Sequence, residues 1–215
     1  MNKFINRFAV ALTAICLLSP MISAQQKKTY GKLSIKTAYG YLFISNSSEK
    51  SFTLEIRGKD IEVVNEGNNR MFFVDEKMLN IVQAATKDFV SANEKLTEEQ
   101  ILGKHKVWES DFRSQAFKTK LQLKTEPVSV RDFKALFWGY TRPLANEEYD
   151  RDYLLTKVVG KEVLALNTSL YIGDSLPDYQ KLLVDTLGTL KVSDEPFDVQ
   201  KLTEEFRKEA EKKTE

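Results

Sequence analysis

The chain has 215 residues, 32 basic and 31 acidic, with 42% apolar and 11% aromatic residues, a single histidine and a single cysteine. The near-neutral balance gives no bulk electrostatic attraction for nucleic acid, and the apolar fraction excludes a disordered composition. One cysteine permits no intramolecular disulfide.

The first segment carries an export pattern. Lys3 and Arg7 precede an apolar run from Phe8 to Leu18, and Met21-Ile22-Ser23-Ala24 ends in small residues, which places cleavage between Ala24 and Gln25. The run is too short for a transmembrane helix, which needs about 20 apolar residues, and no later segment qualifies. Cys16 follows Thr13-Ala14-Ile15, which lacks the small residue of a lipidation site, so it reads as filler of the apolar run. Cleavage removes Lys3, Arg7 and Cys16, leaving 30 basic and 31 acidic residues and no thiol. The expected organisation is a signal peptide over 1–24, one domain over 25–195 and a charged terminal helix over 196–215.

From Tyr30 to Val74 the chain reads as short antiparallel strands. Phe52-Thr53-Leu54-Glu55-Ile56 alternates with the period of a half-buried strand, and Gly58-Lys59-Asp60 turns it into Ile61-Glu62-Val63-Val64. Tyr41–Ile44 and Met71–Val74 have strand composition, and Gly67-Asn68-Asn69-Arg70 is a turn signal, not a phosphate loop. Asp75 then caps a predicted helix whose stripe is Met78, Leu79, Val82, Ala85, Thr86 and Phe89. A second helix begins at Thr97-Glu98-Glu99-Gln100, a capping box, with Ile101, Leu102, His105, Trp108 and Phe112 on one face.

Strands resume at Leu121 and Leu123, at Ala135–Tyr140, and in a hairpin from Tyr153–Val158 to Val163–Leu166 across Val159-Gly160-Lys161. A third helix follows Gly173-Asp174-Ser175, with Pro177 in its first turn and Tyr179, Leu182, Leu183, Leu187 and Leu190 on its apolar face. The last helix offers Val199, Leu202 and Phe206 for docking, and Glu204 with Lys208 and Glu209 with Lys213 as i,i+4 pairs. The sum is an α+β domain, an antiparallel β-sheet packed by helices.

Ala135-Leu136-Phe137-Trp138-Gly139-Tyr140, the hairpin to Val163-Leu164-Ala165-Leu166-Asn167 and the helix to Leu187-Gly188-Thr189-Leu190 resemble the PsbP-like α/β/α sandwich family. The resemblance covers the C-terminal half. It implies a binding or assembly role and supplies no functional residues.

The side chains that bear chemistry are few. His105 and Glu109 stand four apart beside Trp108, on one helix face. Two ligands fall short of the three or four of a zinc site, so no metal and no cofactor is expected. The structural alternative bonds His105 to Glu109 or a backbone carbonyl and packs Trp108 on the sheet. Glu147-Glu148-Tyr149-Asp150-Arg151-Asp152 is dense in carboxylates but reads as a solvated loop. Phe133 and Phe137 should face one side of a strand and Trp138 and Tyr140 the other, where the latter two are either core or the lining of a ligand groove. Asn46-Ser47-Ser48 and Asn167-Thr168-Ser169 fit the short glycosylation pattern, for which a bacterial-type signal gives no use.

The expected function is an exported, non-enzymatic binding or assembly module, with His105, Trp108, Glu109, Trp138 and Tyr140 as candidate ligand-binding residues. Its partner is an envelope or extracellular protein or a small ligand, not nucleic acid. The alternative is a carboxylate-based hydrolase using Glu109 and nearby acids.

Overall fold

In the computed structural model, which describes residues 30–66, 69–143 and 148–211, Asp152–Val159 and Val163–Leu170 are buried without interruption. Successive strand residues point to opposite faces, so a strand buried at every position belongs to a sheet covered on both sides. The export segment with its Ala24–Gln25 cleavage site, Gly67, Asn68, Glu147 and Lys213 lie outside the described residues.

In chain order the elements are β1 (Gly31–Thr37), β2 (Gly40–Asn46), β3 (Ser51–Arg57), β4 (Ile61–Glu66), β5 (Asn69–Val74), β6 (Lys77–Ala85), α1 (Glu98–Phe117), β7 (Leu123–Val130), β8 (Phe133–Thr141), β9 (Tyr149–Val159), β10 (Glu162–Tyr171), α2 (Leu176–Leu187), β11 (Lys191–Ser193) and α3 (Val199–Glu211). They form a seven-stranded antiparallel sheet, ordered β4-β5-β6-β10-β9-β8-β7, and a four-stranded one, β1-β2-β3-β11. The class is α+β, as expected.

One face of the large sheet packs on the small sheet and α2. Phe72, Leu79, Ile81, Phe137, Leu155 and Leu166 there meet Phe43, Phe52, Leu54 and Ile56 from the small sheet and Tyr179, Leu183 and Leu187 from α2. The opposite face carries Trp138, Tyr140, Leu154 and Ala165 in one cluster and Val158, Val163 and Leu102 of α1 in another. The expected split of Phe137 from Trp138 and Tyr140 is therefore present. Beyond the small sheet, α3 lies against β1, and the side chain of Asn46 clamps the chain leading into it. Its amide donates to the Phe197 carbonyl and its carbonyl accepts from the Phe197 amide, both at 2.9 Å. Asn46 and Asn167, the two acceptor positions of the glycosylation pattern, are both buried.

The helix expected from Asp75 is instead the strand β6, followed by a single 3-10 turn at Thr86–Asp88. Asp75 and Glu76 both have positive φ, 47° and 68°, and turn β5 tightly into β6 with Val74 opposite Lys77. The Asp75 carboxylate accepts from the amides of Lys59 and Asp60 rather than capping a helix. Leu79 and Ile81 enter the intersheet core while Val82 packs on the opposite cluster, so the apolar residues that mimic a helical stripe serve two faces of a sheet.

Glu76 occupies the left-handed region without the freedom of glycine, which costs an L-residue about 1–2 kcal/mol. Glu76→Gly should raise the unfolding free energy by about 0.5–1 kcal/mol, the strain relieved less the greater chain entropy of glycine. Urea denaturation reads this, and a loss of stability would contradict the turn geometry.

Candidate functional site

The helix α1 begins as its sequence requires. Gln100 donates its backbone N–H to the Thr97 hydroxyl, and the Gln100 side-chain oxygen accepts from the Thr97 amide. Of the expected face, Leu102 and His105 are buried, Ile101 packs beside Leu102 and Trp108 lies against His105, but Phe112 is 64% exposed, and over the second half of the helix the sheet-facing positions are Glu109 and Arg113. The cause is a polar row beneath the second half of the helix.

That row crosses three strands in register: Tyr140 of β8 lies opposite Asp152 of β9, which lies opposite Ser169 of β10. Asp152 is only 1% exposed, and its carboxylate accepts from Tyr140 Oη at 2.5 Å, Ser169 Oγ at 2.5 Å and Arg142 Nε at 3.1 Å. Arg113 approaches the same carboxylate at 3.5 Å, donates to Tyr140 Oη at 2.7 Å and holds Glu109 Oε1 at 2.6 Å. Two arginines thus face two carboxylates, with Tyr140 and Ser169 filling the remaining acceptor positions. Burial, opposed by Arg113 and reinforced by Asp152, pushes the Tyr140 phenol well above its usual range, so it stays a donor. The expected solvated loop over Glu147–Asp152 is corrected here: Tyr149–Asp152 opens β9, and its last carboxylate is a core residue because donors from three elements surround it.

His105 is also buried, at 2% exposure, between the rings of Phe89 and Trp108. Its Nδ1 has no hydrogen-bond partner, and Glu109, its expected partner, is taken by Arg113. Burial pushes the imidazole down to about 4, with Glu109 opposing and Arg113 adding to the shift. Trp138 is wholly buried with its indole N–H unpaired. The five candidate residues therefore divide: Glu109 and Tyr140 join the Asp152 network, His105 and Trp108 form an aromatic cluster with Phe89, and Trp138 lies in the core. Among the described residues no group of three or more His, Cys, Asp or Glu is placed to hold a metal.

A cleft of about 480 Å3 lies at the other end of α1. β8 pairs with β9 only from Leu136 opposite Thr156 to Thr141 opposite Arg151, so Phe133–Ala135 and Lys157–Val159 lie beyond the pairing. The cleft opens beside this end, with Leu102, Val128, Phe133 and Leu136 as apolar lining and Lys157 and Glu98 as its ion pair. The Lys157 side chain is 11% exposed and its ammonium stands 5.5 Å over the Phe133 ring, whereas Glu98 is 59% exposed. Lys157 escaped the sequence reading, although a lone lysine within Tyr153-Leu154-Leu155-Thr156-Lys157-Val158-Val159 is a legible signal.

No protein-family model and no curated protein matches the chain. Among solved structures it is similar to the solution structure of cyanobacterial PsbP (CyanoP) from Synechocystis sp. PCC 6803, at 10% identity and a TM-score of 0.46, over 77% of this chain and 98% of that one. That protein bears the name of the family the C-terminal half of the sequence resembles. At that score the likeness carries nothing over to the residues of this chain.

Two stability measurements follow from the geometry. Asp152→Asn removes the buried carboxylate that Tyr140, Ser169, Arg113 and Arg142 all face and should cost about 3–5 kcal/mol in chemical denaturation; an unchanged midpoint would contradict the network. For His105 the folded-state value lies below the ordinary 6.5, so the unfolded chain binds the proton more readily. Stability is then complete above about pH 6.5 and falls as pH drops towards 4, by about 2 kcal/mol between pH 7 and pH 5. In His105→Leu this dependence should disappear.

Proposed function

We propose that the chain is an exported binding module that holds its ligand in the cleft between α1 and the β7–β8 hairpin and has no catalytic chemistry of its own. The cleft carries this reading. Its volume of about 480 Å3 falls in the range of small-molecule pockets, about 300–1,000 Å3, and it combines apolar walls with one fixed cation, the usual composition of such sites. Export is supported by Lys3, Arg7, the apolar run Phe8–Leu18 and the small-residue site at Ala24. Among the described residues, no helix is long and apolar enough to cross a membrane.

The hydrolase alternative draws no support from the residues assigned to it. Glu109 is engaged by Arg113, Asp152 is saturated by donors, and His105 is enclosed by aromatic rings at a pKa too low for a base at neutral pH.

A fragment screen by amide-resolved NMR tests the proposal. Shifts should collect on Leu102, Phe133, Leu136 and Lys157, and should vanish in Ser129→Trp, which fills the cleft from its exposed rim while leaving the unfolding midpoint within a few degrees. Hits that collect elsewhere, or that persist in the variant, would overturn it.

A further inference from the structure

The ion pair in the cleft is asymmetric. Lys157 is fixed on β9 with its stem enclosed and its ammonium over Phe133, whereas Glu98 reaches it from an exposed position in the first turn of α1. A buried ammonium without a counter-charge is costly, so Lys157 requires an anion whatever fills the cleft. Glu98 has no such requirement, because it returns to water on release. The remaining charges of the lining, Glu99, Asp132 and Lys134, are all exposed, where solvent and salt screen them.

We propose that the cleft takes a small carboxylate carried on an apolar chain, the ligand displacing Glu98 from Lys157 and laying its tail on Leu102, Val128, Phe133 and Leu136. This rests on the reading of the cleft as the binding site. Glu98 is 59% exposed, so its pair with Lys157 is weakened by water and salt, whereas a ligand carboxylate enclosed in the cleft meets the ammonium out of solvent; the exchange favours the ligand and the apolar tail adds to it. Affinity should rise about fourfold per methylene from hexanoate to decanoate, the effect of burying one methylene, until the cleft is filled.

Titration of the full protein with decanoate and decanol, followed by calorimetry and amide NMR, tests the proposal. Decanoate should bind at least about tenfold tighter than decanol, the worth of a charge-assisted hydrogen bond. Lys157→Met should bring decanoate down to the level of decanol. Glu98→Gln, which removes the competing counter-ion, should tighten decanoate about threefold or more and leave decanol unchanged. That opposite response does not arise from a merely structural ion pair, and it keeps the test decisive if Lys157→Met fails to fold. A leucine-ended tetrapeptide, as free acid and as amide, distinguishes a peptide-derived from a lipid-derived carboxylate; preference for the acid supports the same chemistry. Equal binding of decanoate and decanol in the cleft, or weaker decanoate binding in Glu98→Gln, would overturn the carboxylate assignment while leaving a binding cleft. Absence of any shift in the cleft with every probe would overturn both.

Discussion

The constraint on which the rest of the structure depends is the two-sided burial of β9 and β10. Eight consecutive buried residues in each strand leave no face for water, so the large sheet needs a cover on both sides. The small sheet and α2 supply one, and α1 the other. The position of α1 follows from this, and so do both polar features of the molecule. Where the second half of the helix crosses the sheet, Arg113 meets Asp152 and Tyr140; where its first turn passes the end of β8 that pairs with β7 but not with β9, the cleft and the Lys157–Glu98 pair remain.

The two charged features differ in kind. Asp152 is enclosed on every side by protein donors, and exchanging any partner would strand a buried charge. It locks α1 to three strands and is spent in doing so. Lys157 has an enclosed stem but a counter-ion at the surface, so one half of its pair is free to change partner. Fixed charge with a replaceable counter-charge is what distinguishes a binding position from a structural ion pair.

The fold class was legible because most local signals agreed with the tertiary answer. The capping box at Thr97, the hairpin over Val159-Gly160-Lys161 and the stripe of α2 each depend on chemistry within a few residues. β6 was not legible. Met78, Leu79, Val82 and Ala85 satisfy a helical period because the strand is apolar on both faces, and the turn before it uses Asp75 and Glu76 where glycine or asparagine would have announced a hairpin. The site residues were legible only in part. Glu109 and Tyr140 were singled out, but Asp152 was hidden in a charged run, because burial of a carboxylate is decided by donors at Arg113, Arg142 and Ser169 that lie far away in sequence.

The central claim is that the cleft is a site whose cation changes partner on binding. A crystal structure of the protein grown with decanoate measures this directly. The account predicts the ligand carboxylate within hydrogen-bond distance of Lys157 Nζ, the alkyl chain against Phe133 and Leu136, and Glu98 turned to solvent. An intact Lys157–Glu98 pair with the ligand bound elsewhere would contradict it.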